Sequence, residues 1–478
     1  MIYINYSYDI TQFIGLPRKL SLRINTNSMI DKKLVEKYNY QVPRYTSYPT
    51  VPDWDKEVPT QSQWLKTLLN NYNPSEGLSI YIHLPFCENL CTYCGCNKRI
   101  TKNHSYEIPY IRAVLEEWRL YRQQFNDKPK LKELHLGGGT PTFFSPANLA
   151  FLLGSILDDC IVPQDCEMSF EAHPNSTTRE HLETLRTLGF NRLSLGVQDI
   201  SSMILEAINR RQTVEDVRRV TLEARRLGYE SINYDLIYGL PFQDLNHIKD
   251  NMAFIEELMP DRIAFYSYAH VPWKSPSQRA FTIDNVPKGL TKLNLFLEGY
   301  NTLTALGYEP IGMDHFCLPT DKLFQSLNDR TLHRNFMGYT ASYSSISIGL
   351  GMSSISDAWG MYAQNEKSLE SYQERIANSE LPIIKGHRLT YSEKIMRESI
   401  LKLMCQGELS WSDNDPLYEL IKDQLLQMQQ FEKDQLIMIS DCSIKVTDLG
   451  QFFIRNICAA IDPFQFTLES QQKFSSAI

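Results

Sequence analysis

The sequence predicts an α/β protein: a TIM-like partial (β/α)6 barrel with parallel strands, followed by a smaller, mainly α-helical C-terminal domain. Six apolar runs rich in β-branched and aromatic residues alternate with amphipathic stretches long enough for helices. Such regular alternation is typical of a parallel sheet built from βαβ units. From about residue 380 the pattern becomes mainly helical, with one short β-like piece at 436–447.

Each predicted strand is followed by a predicted helix. The strands are expected at 78–85, 133–141, 167–174, 192–199, 231–241 and 262–270. The helices are expected at 106–124, 147–158, 178–188, 214–227, 245–258 and 288–306. Ser145-Pro146 and Thr177-Thr178 are typical of helix starts, and Gly189 and Gly228 of helix ends. The chain could close into a barrel or stay open; in both cases we expect the functional residues at the carboxyl ends of the strands.

The composition changes along the chain predict three parts. Residues 1–60 form an N-terminal extension with a Tyr- and Pro-rich arm, 61–378 the catalytic barrel and 379–478 a mainly helical cap. Residues 1–28 show neither helical nor strand periodicity, and Met29 is a candidate start. We therefore expect that deleting residues 1–28 leaves activity intact.

Charge and hydropathy limit the possible function classes. The 478 residues contain 48 Lys and Arg against 56 Asp and Glu, a net charge of −8. This balance argues against a nucleic-acid-binding or membrane-surface protein, which would need a basic face. No apolar run approaches the roughly 18 residues of a membrane span. The start of the chain lacks a signal-peptide pattern, so we expect a cytoplasmic protein without a membrane span.

Four of the ten cysteines follow the first predicted strand in the segment HLPFCENLCTYCGC. Cys87, Cys91 and Cys94 have the spacing Cys-x-x-x-Cys-x-x-Cys, and Cys96 follows two residues later. Three close thiolates can bind three corners of a 4Fe-4S cluster and leave one iron open to a chelating ligand. A structural zinc site is the alternative, although zinc motifs usually pair two separated Cys-x-x-Cys units and no second unit is present here. The spacing favours the cluster.

Beyond the cysteines, a series of motifs resembles one family. The three-cysteine motif is similar to that of radical S-adenosylmethionine (SAM) enzymes, and within them the chain resembles the oxygen-independent coproporphyrinogen III oxidases from about residue 30 onward. GGGTP alone indicates only a radical SAM enzyme, whereas CGCNK and LHRNFMGYT are specific to the oxidases. The matching segments are RYTSYPT (44–50), YIHLPFC…LC.YCGCNK (81–98), LGGGTPT (136–142), NRLSLGVQD (191–199), DLIYGLP (235–241), YAHVP (268–272), IGMDHF (311–316) and LHRNFMGYT (332–340).

The resemblance implies a set of site residues. The cluster ligands are Cys87, Cys91 and Cys94, and Cys96 is a catalytic residue that does not bind iron. Two SAM molecules are implied. The positions for the first SAM are Tyr81, Gly138, Glu171 and Ile355, and those for the second are Tyr93, Gly139, Thr140, Gln198, Arg210, Asp235 and Ala269. One departure is His173-Pro174-Asn175, where the family more often has Asp-Pro-Arg, so an acidic or basic role there is in question.

The implied reaction is the oxidative decarboxylation of two propionates of coproporphyrinogen III to vinyl groups. It gives protoporphyrinogen IX in haem and porphyrin biosynthesis, through a 5′-deoxyadenosyl radical made by one 4Fe-4S cluster and SAM. An unidentified electron donor and acceptor are required, and we expect a monomer. Because the substrate has four carboxylates, one or more cations near the motifs should bind propionate. The candidates are Arg44, Lys98, Arg99, Arg211 and Arg334.

Two other functions are considered. A radical-SAM-like haem chaperone is the nearest alternative, but such proteins typically lack the cysteine that matches Cys96. A winged-helix DNA reader is the second, because helices precede the β-like piece at 436–447. Residues 380–478 have 10 Lys and Arg against 14 Asp and Glu, a net charge of −4 that is the wrong sign for binding phosphates. We therefore interpret this part as a cap over the barrel.

Overall fold

The structure is a computed structural model that describes residues 31–55, 57–272, 276–412 and 414–464. The predicted dispensable segment, residues 1–28, lies outside the described residues. None of the helices in the described ranges is long and apolar enough to cross a lipid bilayer.

The described chain alternates strands and helices. The strands are β1 (Leu78–Leu84), β2 (Phe86–Cys87), β3 (Arg99–Ile100), β4 (Leu131–Gly138), β5 (Glu167–Ala172), β6 (Arg192–Gln198), β7 (Ser231–Tyr238), β8 (Arg262–Ser267), β9 (Glu309–Gly312), β10 (His315–Cys317), β11 (His333–Asn335), β12 (Gly338–Thr340), β13 (Ser347–Leu350), β14 (Ile355–Asp357), β15 (Met361–Asn365), β16 (Ile383–Arg388), β17 (Glu408–Ser410), β18 (Ile437–Ser440) and β19 (Ser443–Val446). The helices are α1 (Lys32–Tyr38), α2 (Gln61–Asn71), α3 (Glu107–Arg122), α4 (Pro146–Leu157), α5 (Arg179–Thr187), α6 (Ser202–Ala207), α7 (Val214–Arg226), α8 (Leu245–Leu258), α9 (Gly289–Ala305), α10 (Lys322–Asn328), α11 (Leu369–Ala377), α12 (Tyr391–Gln406), α13 (Pro416–Lys433), α14 (Asp448–Gln451) and α15 (Ile454–Ile461).

A twelve-stranded sheet forms the centre of the fold. Its strand order is β16-β15-β14-β13-β1-β4-β5-β6-β7-β8-β10-β9. The six predicted strands are β1 and β4 to β8, and they run parallel with helices between them. The predicted α/β class is therefore confirmed. The sheet stays open over the described residues, because β1 continues to β13 and β8 to β10.

Local sequence signals explain where the helices begin and end. Thr178 caps α5 by accepting a hydrogen bond from the backbone N–H of His181, and Ser145 caps α4 in the same way. Gly189 and Gly228 follow helices with positive φ angles, a conformation that glycine adopts without steric cost. These elements place the carboxyl ends of the parallel strands on one side of the sheet.

The C-terminal part is mainly helical, as the sequence predicts, and contains α12 to α15. The predicted β-like piece at 436–447 forms β18 and β19, which make a three-stranded antiparallel sheet with β17. In addition, β16 lies inside the predicted cap (379–478) and yet pairs with β15 at the edge of the main sheet. The remainder of the predicted division into three parts stays a prediction.

Two hydrophobic cores organise the described residues. The larger core surrounds the main sheet, and its members range from Trp64 to Ile383. The second core joins α12, α13 and α15 to the N-terminal arm and to Leu293 and Leu297 of α9. The arm is also anchored by polar contacts, since Tyr48 Oη donates a 2.8 Å hydrogen bond to Asp462 Oδ1. The arm, α9 and the C-terminal helices consequently pack together although they are far apart in sequence.

Candidate functional site

A cavity of about 1090 Å³ lies at the carboxyl ends of the parallel strands. This end of the sheet is where ligand sites of such folds occur. The cavity is bordered by the loop after β1, by the ends of β4 to β8, by α9 and by α15. Thirteen of the fifteen predicted site residues line it: Cys87, Cys91, Tyr93, Cys94, Cys96, Gly138, Gly139, Thr140, Glu171, Gln198, Arg210, Asp235 and Ala269.

The four clustered cysteines lie on the loop after β1, here called the cysteine loop (residues 87–96). All four thiols are free, and Cys96 is the most exposed of them. Lys98 Nζ donates to the backbone oxygens of Cys94 at 3.0 Å and of Cys96 at 3.2 Å, which tightens the end of the loop. Arg210 Nη1 lies 3.7 Å from Cys91 Sγ. Soft thiol donors and an adjacent guanidinium therefore share one wall of the cavity.

This donor set fits a 4Fe-4S cluster. Cys87, Cys91 and Cys94 supply three thiolates, the ligand type that iron–sulfur clusters use. Each of the three cysteines would bind a different iron of the cubane, so the three sulfurs do not need to meet at a single point. In the described part of the chain, no three His, Cys, Asp or Glu side chains lie close enough together to bind a single metal ion. The positive charge of Arg210 would offset the negative charge of a thiolate-bound cluster.

The glycines that end β4 allow the backbone to approach the cysteine loop. A side chain at Gly139 would bring its Cβ within 2.5 Å of the Pro85 carbonyl carbon, and one at Gly138 would collide with the His83 ring. The N–H of Gly139 donates to the backbone oxygen of Leu84 at 2.8 Å, and the N–H of Thr140 donates to the backbone oxygen of Phe86 at 2.9 Å. The Gly-Gly-Thr segment is thus held against the start of the loop, and only glycine fits at positions 138 and 139.

Glu171 lies at the end of β5 and faces the same cavity. Its Oε2 accepts a 3.2 Å hydrogen bond from the Gly138 N–H, and its Oε1 lies 3.6 Å from His135 Nε2. Burial works to raise the pKa of Glu171, but the contacts with His135 and Gly138 outweigh it and hold the pKa below its usual value. The side chain is therefore a carboxylate that can accept hydrogen bonds from the ammonium or hydroxyl groups of a ligand.

Arg210 and Asp235 form the neighbouring polar surface. Arg210 Nη1 donates to Tyr93 Oη at 3.1 Å, and Nη2 donates to the Gly196 carbonyl. Asp235 accepts from Asn233 Nδ2 at 2.8 Å and from Ser194 Oγ at 3.2 Å. Burial, followed by repulsion from Glu171, raises the pKa of Asp235 to about 7. The Arg210 guanidinium therefore lies beside the cysteine loop together with the Asp235 carboxyl group, which gains or loses its proton near neutral pH.

Comparison with known proteins shows which family the chain belongs to. The Radical SAM superfamily matches residues 81–255. The oxygen-independent coproporphyrinogen III oxidase of Pseudomonas aeruginosa is 35% identical over 94% of this chain and 98% of its own, and that of Synechocystis is 36% identical over 93% and 97%. The chain belongs to the oxygen-independent coproporphyrinogen III oxidase family. Coproporphyrinogen III oxidase (HemN) from Escherichia coli, described as a radical SAM enzyme, superposes with a TM-score of 0.84 at 34% identity and covers 88% of this chain and 99% of its own.

Two of the predicted site residues, Tyr81 and Ile355, do not line the cavity. Tyr81 is on β1, where its ring stacks on His135 and its Oη lies 3.1 Å from His83 Nδ1. Ile355 is on β14 and packs against the cluster of Trp54, Tyr362 and Leu389. The role of every predicted ligand-binding residue stays a prediction.

The predicted propionate-binding cations divide into two groups. Arg44, Lys98 and Arg211 line the cavity. Arg99 instead pairs with the exposed Glu370 at 3.1 Å, and Arg334 is buried with its guanidinium 4.7 Å from the Tyr339 ring centre. The structure adds three cavity-lining cations that the sequence analysis missed, Lys288, Lys292 and Arg455. None of them stands in one of the recognised motifs, so no sequence signal distinguished them from surface cations. Lys288 is exposed and pairs with Asp284.

Proposed function

We propose that this protein is an oxygen-independent coproporphyrinogen III oxidase, which converts coproporphyrinogen III into protoporphyrinogen IX in haem and porphyrin biosynthesis. The observation that carries the proposal is the shared cavity. It gathers four thiols, a glycine-walled strand end and the carboxylates of Glu171 and Asp235 in a chain that aligns over nearly its whole length with proteins named for this activity. Pockets for drug-sized ligands are typically about 300–1,000 Å³, and this cavity of about 1090 Å³ is slightly larger than that range.

The proposed resident cofactors are one 4Fe-4S cluster and SAM. Cys87, Cys91 and Cys94 would hold the cluster, and when bound the pair supplies the carbon-centred radical that abstracts hydrogen from the substrate. The protein's task is to place the propionate β-carbon beside that radical source and to exclude water. Each propionate gives up one hydrogen atom, one carbon dioxide and one electron as it becomes a vinyl group. An external electron acceptor is therefore needed.

The polar residues of the site have separate tasks in this proposal. Arg210, which lies against Cys91 and Tyr93, balances the negative charge of the cysteine loop. Glu171, held as a carboxylate by His135 and Gly138, accepts hydrogen bonds from the SAM closest to the cluster. Cys96 lines the cavity two residues beyond Cys94, and the proposal places the reacting propionates beside it. Each task places charge or hydrogen-bonding capacity where the reaction needs it.

We also propose that a second SAM binds beside the first. Tyr93, Gly139, Thr140, Gln198, Arg210, Asp235 and Ala269 line one cavity, which supports a common ligand for them. Equilibrium dialysis of the reconstituted protein with labelled SAM should give two SAM per chain. Asp235→Asn, which keeps the side chain's shape and removes its charge, should give one. A wild-type ratio of one would refute the second molecule.

Anaerobic reconstitution with iron and sulfide tests the main proposal. The loaded protein should show cluster absorbance and should release carbon dioxide from coproporphyrinogen III only when SAM and a reductant are present. Cys94→Ser is the matched control. A fully loaded protein that releases no carbon dioxide but binds haem would instead be a haem chaperone. The monomeric state and the cytoplasmic location are part of the proposal and are checked by sedimentation and by cell fractionation.

A further inference from the structure

Three cations on the cavity come from segments that are far apart in sequence. Arg44 belongs to the N-terminal arm, Lys292 to α9 and Arg455 to α15, and all three line the cavity that the cysteine loop borders. We call these three residues the cation wall. The elements that carry them meet because the second hydrophobic core packs the arm, α9 and α15 together. The folding of the C-terminal part thus completes the cavity.

Each member of the cation wall is held in place by its surroundings. Arg44 forms an ion pair with the buried carboxylate of Asp314. Lys292 Nζ donates a 2.8 Å hydrogen bond to the Tyr268 carbonyl and lies 6.0 Å from the Tyr238 ring centre. Arg455 donates to the carbonyl oxygens of Val42 and Pro43, so it also fixes the arm. Restricting these long side chains before a ligand arrives lowers the entropy lost on binding.

The charge distribution on the wall favours an anionic ligand. Burial, and then repulsion from Arg455, lowers the pKa of Lys292 to about 8. Burial, and then repulsion from Arg44, lowers the pKa of Arg455 to about 9. The carboxylates that line the described part of the cavity are Glu88, Glu171 and Asp235, which belong to the cysteine loop and the strand ends. Arg44 already pairs with Asp314, which does not line the cavity. A ligand carboxylate placed at the wall would therefore chiefly relieve the repulsion between Lys292 and Arg455.

We propose that the cation wall binds the two propionates that the reaction leaves intact, and that the propionates to be decarboxylated face the cysteine loop. The inference rests on the proposed function. A tight ion pair to a carboxylate that leaves as neutral carbon dioxide would slow the reaction. The pair stabilises the ground state and is lost as the carboxylate leaves. Carboxylates that do not react can supply binding energy that positions the macrocycle.

The test compares two porphyrinogens that differ only in the reacting side chains. Coproporphyrinogen III has four carboxylates, whereas protoporphyrinogen IX keeps only the two unreactive ones. Their dissociation constants are measured anaerobically on the reconstituted holoenzyme, by filtration and fluorescence of the oxidised free fraction. The variants are Lys292→Gln and Arg455→Gln. Lys322→Gln is the control, since Lys322 is exposed, pairs with Glu230 and lies off the cavity wall.

Both variants should weaken both ligands by the same factor, about tenfold or more, as expected for the loss of one charge-assisted hydrogen bond. Iron content and SAM binding should not change. If Arg455→Gln loosens the arm, Lys292→Gln alone decides the test. Arg455→Lys keeps the charge, so it should recover most of the affinity that Arg455→Gln loses.

Three results would overturn the inference. If coproporphyrinogen III is weakened and protoporphyrinogen IX is not, the wall binds the reacting propionates. If neither dissociation constant changes while the wild type decarboxylates normally, the wall binds no carboxylate and the proposed function stands. If the wild type binds neither porphyrinogen, the inference and the proposed function both fail.

Discussion

The cysteine loop and the cation wall border the same cavity but are built in different ways. The four cysteines lie within ten consecutive residues, and their neighbourhood follows from local geometry. The three cations come from the two ends and the middle of the chain and meet only through the second hydrophobic core. The cysteine loop, which is proposed to bind the cofactor, is therefore determined locally by the sequence. The cation wall, which is proposed to bind the substrate, depends on the whole fold.

The largest effect is expected at the three proposed cluster ligands. Cys87→Ser, Cys91→Ser and Cys94→Ser should each reduce bound iron and sulfide to background and abolish decarboxylation, because a serine oxygen is a poor substitute for a soft thiolate at iron. Cys442→Ser is the control, since this exposed thiol lies off the cavity wall. Normal iron content in any one of the three variants would remove that residue from the ligand set.

Cys96 tests whether the cysteine loop carries more than cluster ligands. Cys96→Ser should keep normal iron content and reduce vinyl product at least about 100-fold, the scale of losing a positioned proton donor. Iron determination and product analysis on the same preparation check both parts. Iron loss equal to that of Cys94→Ser would make Cys96 a ligand. Full turnover would show that it has no part in the chemistry.

The pH dependence of substrate binding tests the cation wall. Burial and the facing Arg455 hold the pKa of Lys292 at about 8, so this amine is charged below pH 8 and neutral above it. Affinity for the tetracarboxylate should therefore fall as the pH rises above 8, by up to about tenfold per pH unit.

The control for this profile is Lys292→Arg, whose guanidinium keeps its charge to much higher pH and should flatten the curve. The other groups that face Lys292 are Tyr238 and the Tyr268 carbonyl, and burial raises the pKa of Tyr238 to about 12. A wild-type curve that equals that of Lys292→Arg would assign the titration to another group.

The smallest effect is expected for Arg99, which the sequence analysis proposed as a propionate-binding cation but which does not line the cavity. Arg99→Gln should leave the Michaelis constant for coproporphyrinogen III unchanged, because Arg99 lies off the cavity wall and pairs with the exposed Glu370. Unfolding in urea should show a stability loss of less than about 1 kcal/mol, as is usual for surface ion pairs. A tenfold rise in the Michaelis constant would place Arg99 at the substrate.

Much of the fold could be predicted because its signals are local. The predicted strand at 192–199 corresponds to β6 (Arg192–Gln198), and the predicted helix at 245–258 corresponds to α8. The predicted strands 133–141 and 231–241 extend three residues beyond β4 and β7, because a glycine and then a proline follow each strand and end its pairing. The three residues after β4 line the cavity. The short strand β17 was missed, since three residues carry too little periodicity to be recognised.

The sequence by itself determined the sheet of alternating strands and helices, the cysteine spacing and the glycines of β4, because apolar periodicity, metal-ligand spacing and the absence of a Cβ act over a few residues. The tertiary structure alone decided which cations reach the cavity. It brought in Lys292 and Arg455 and left Arg99 outside. It also placed β16 in the main sheet and the arm in the second core. Those outcomes depend on apolar surfaces that are buried between distant segments, and no local pattern encodes which distant surfaces will meet.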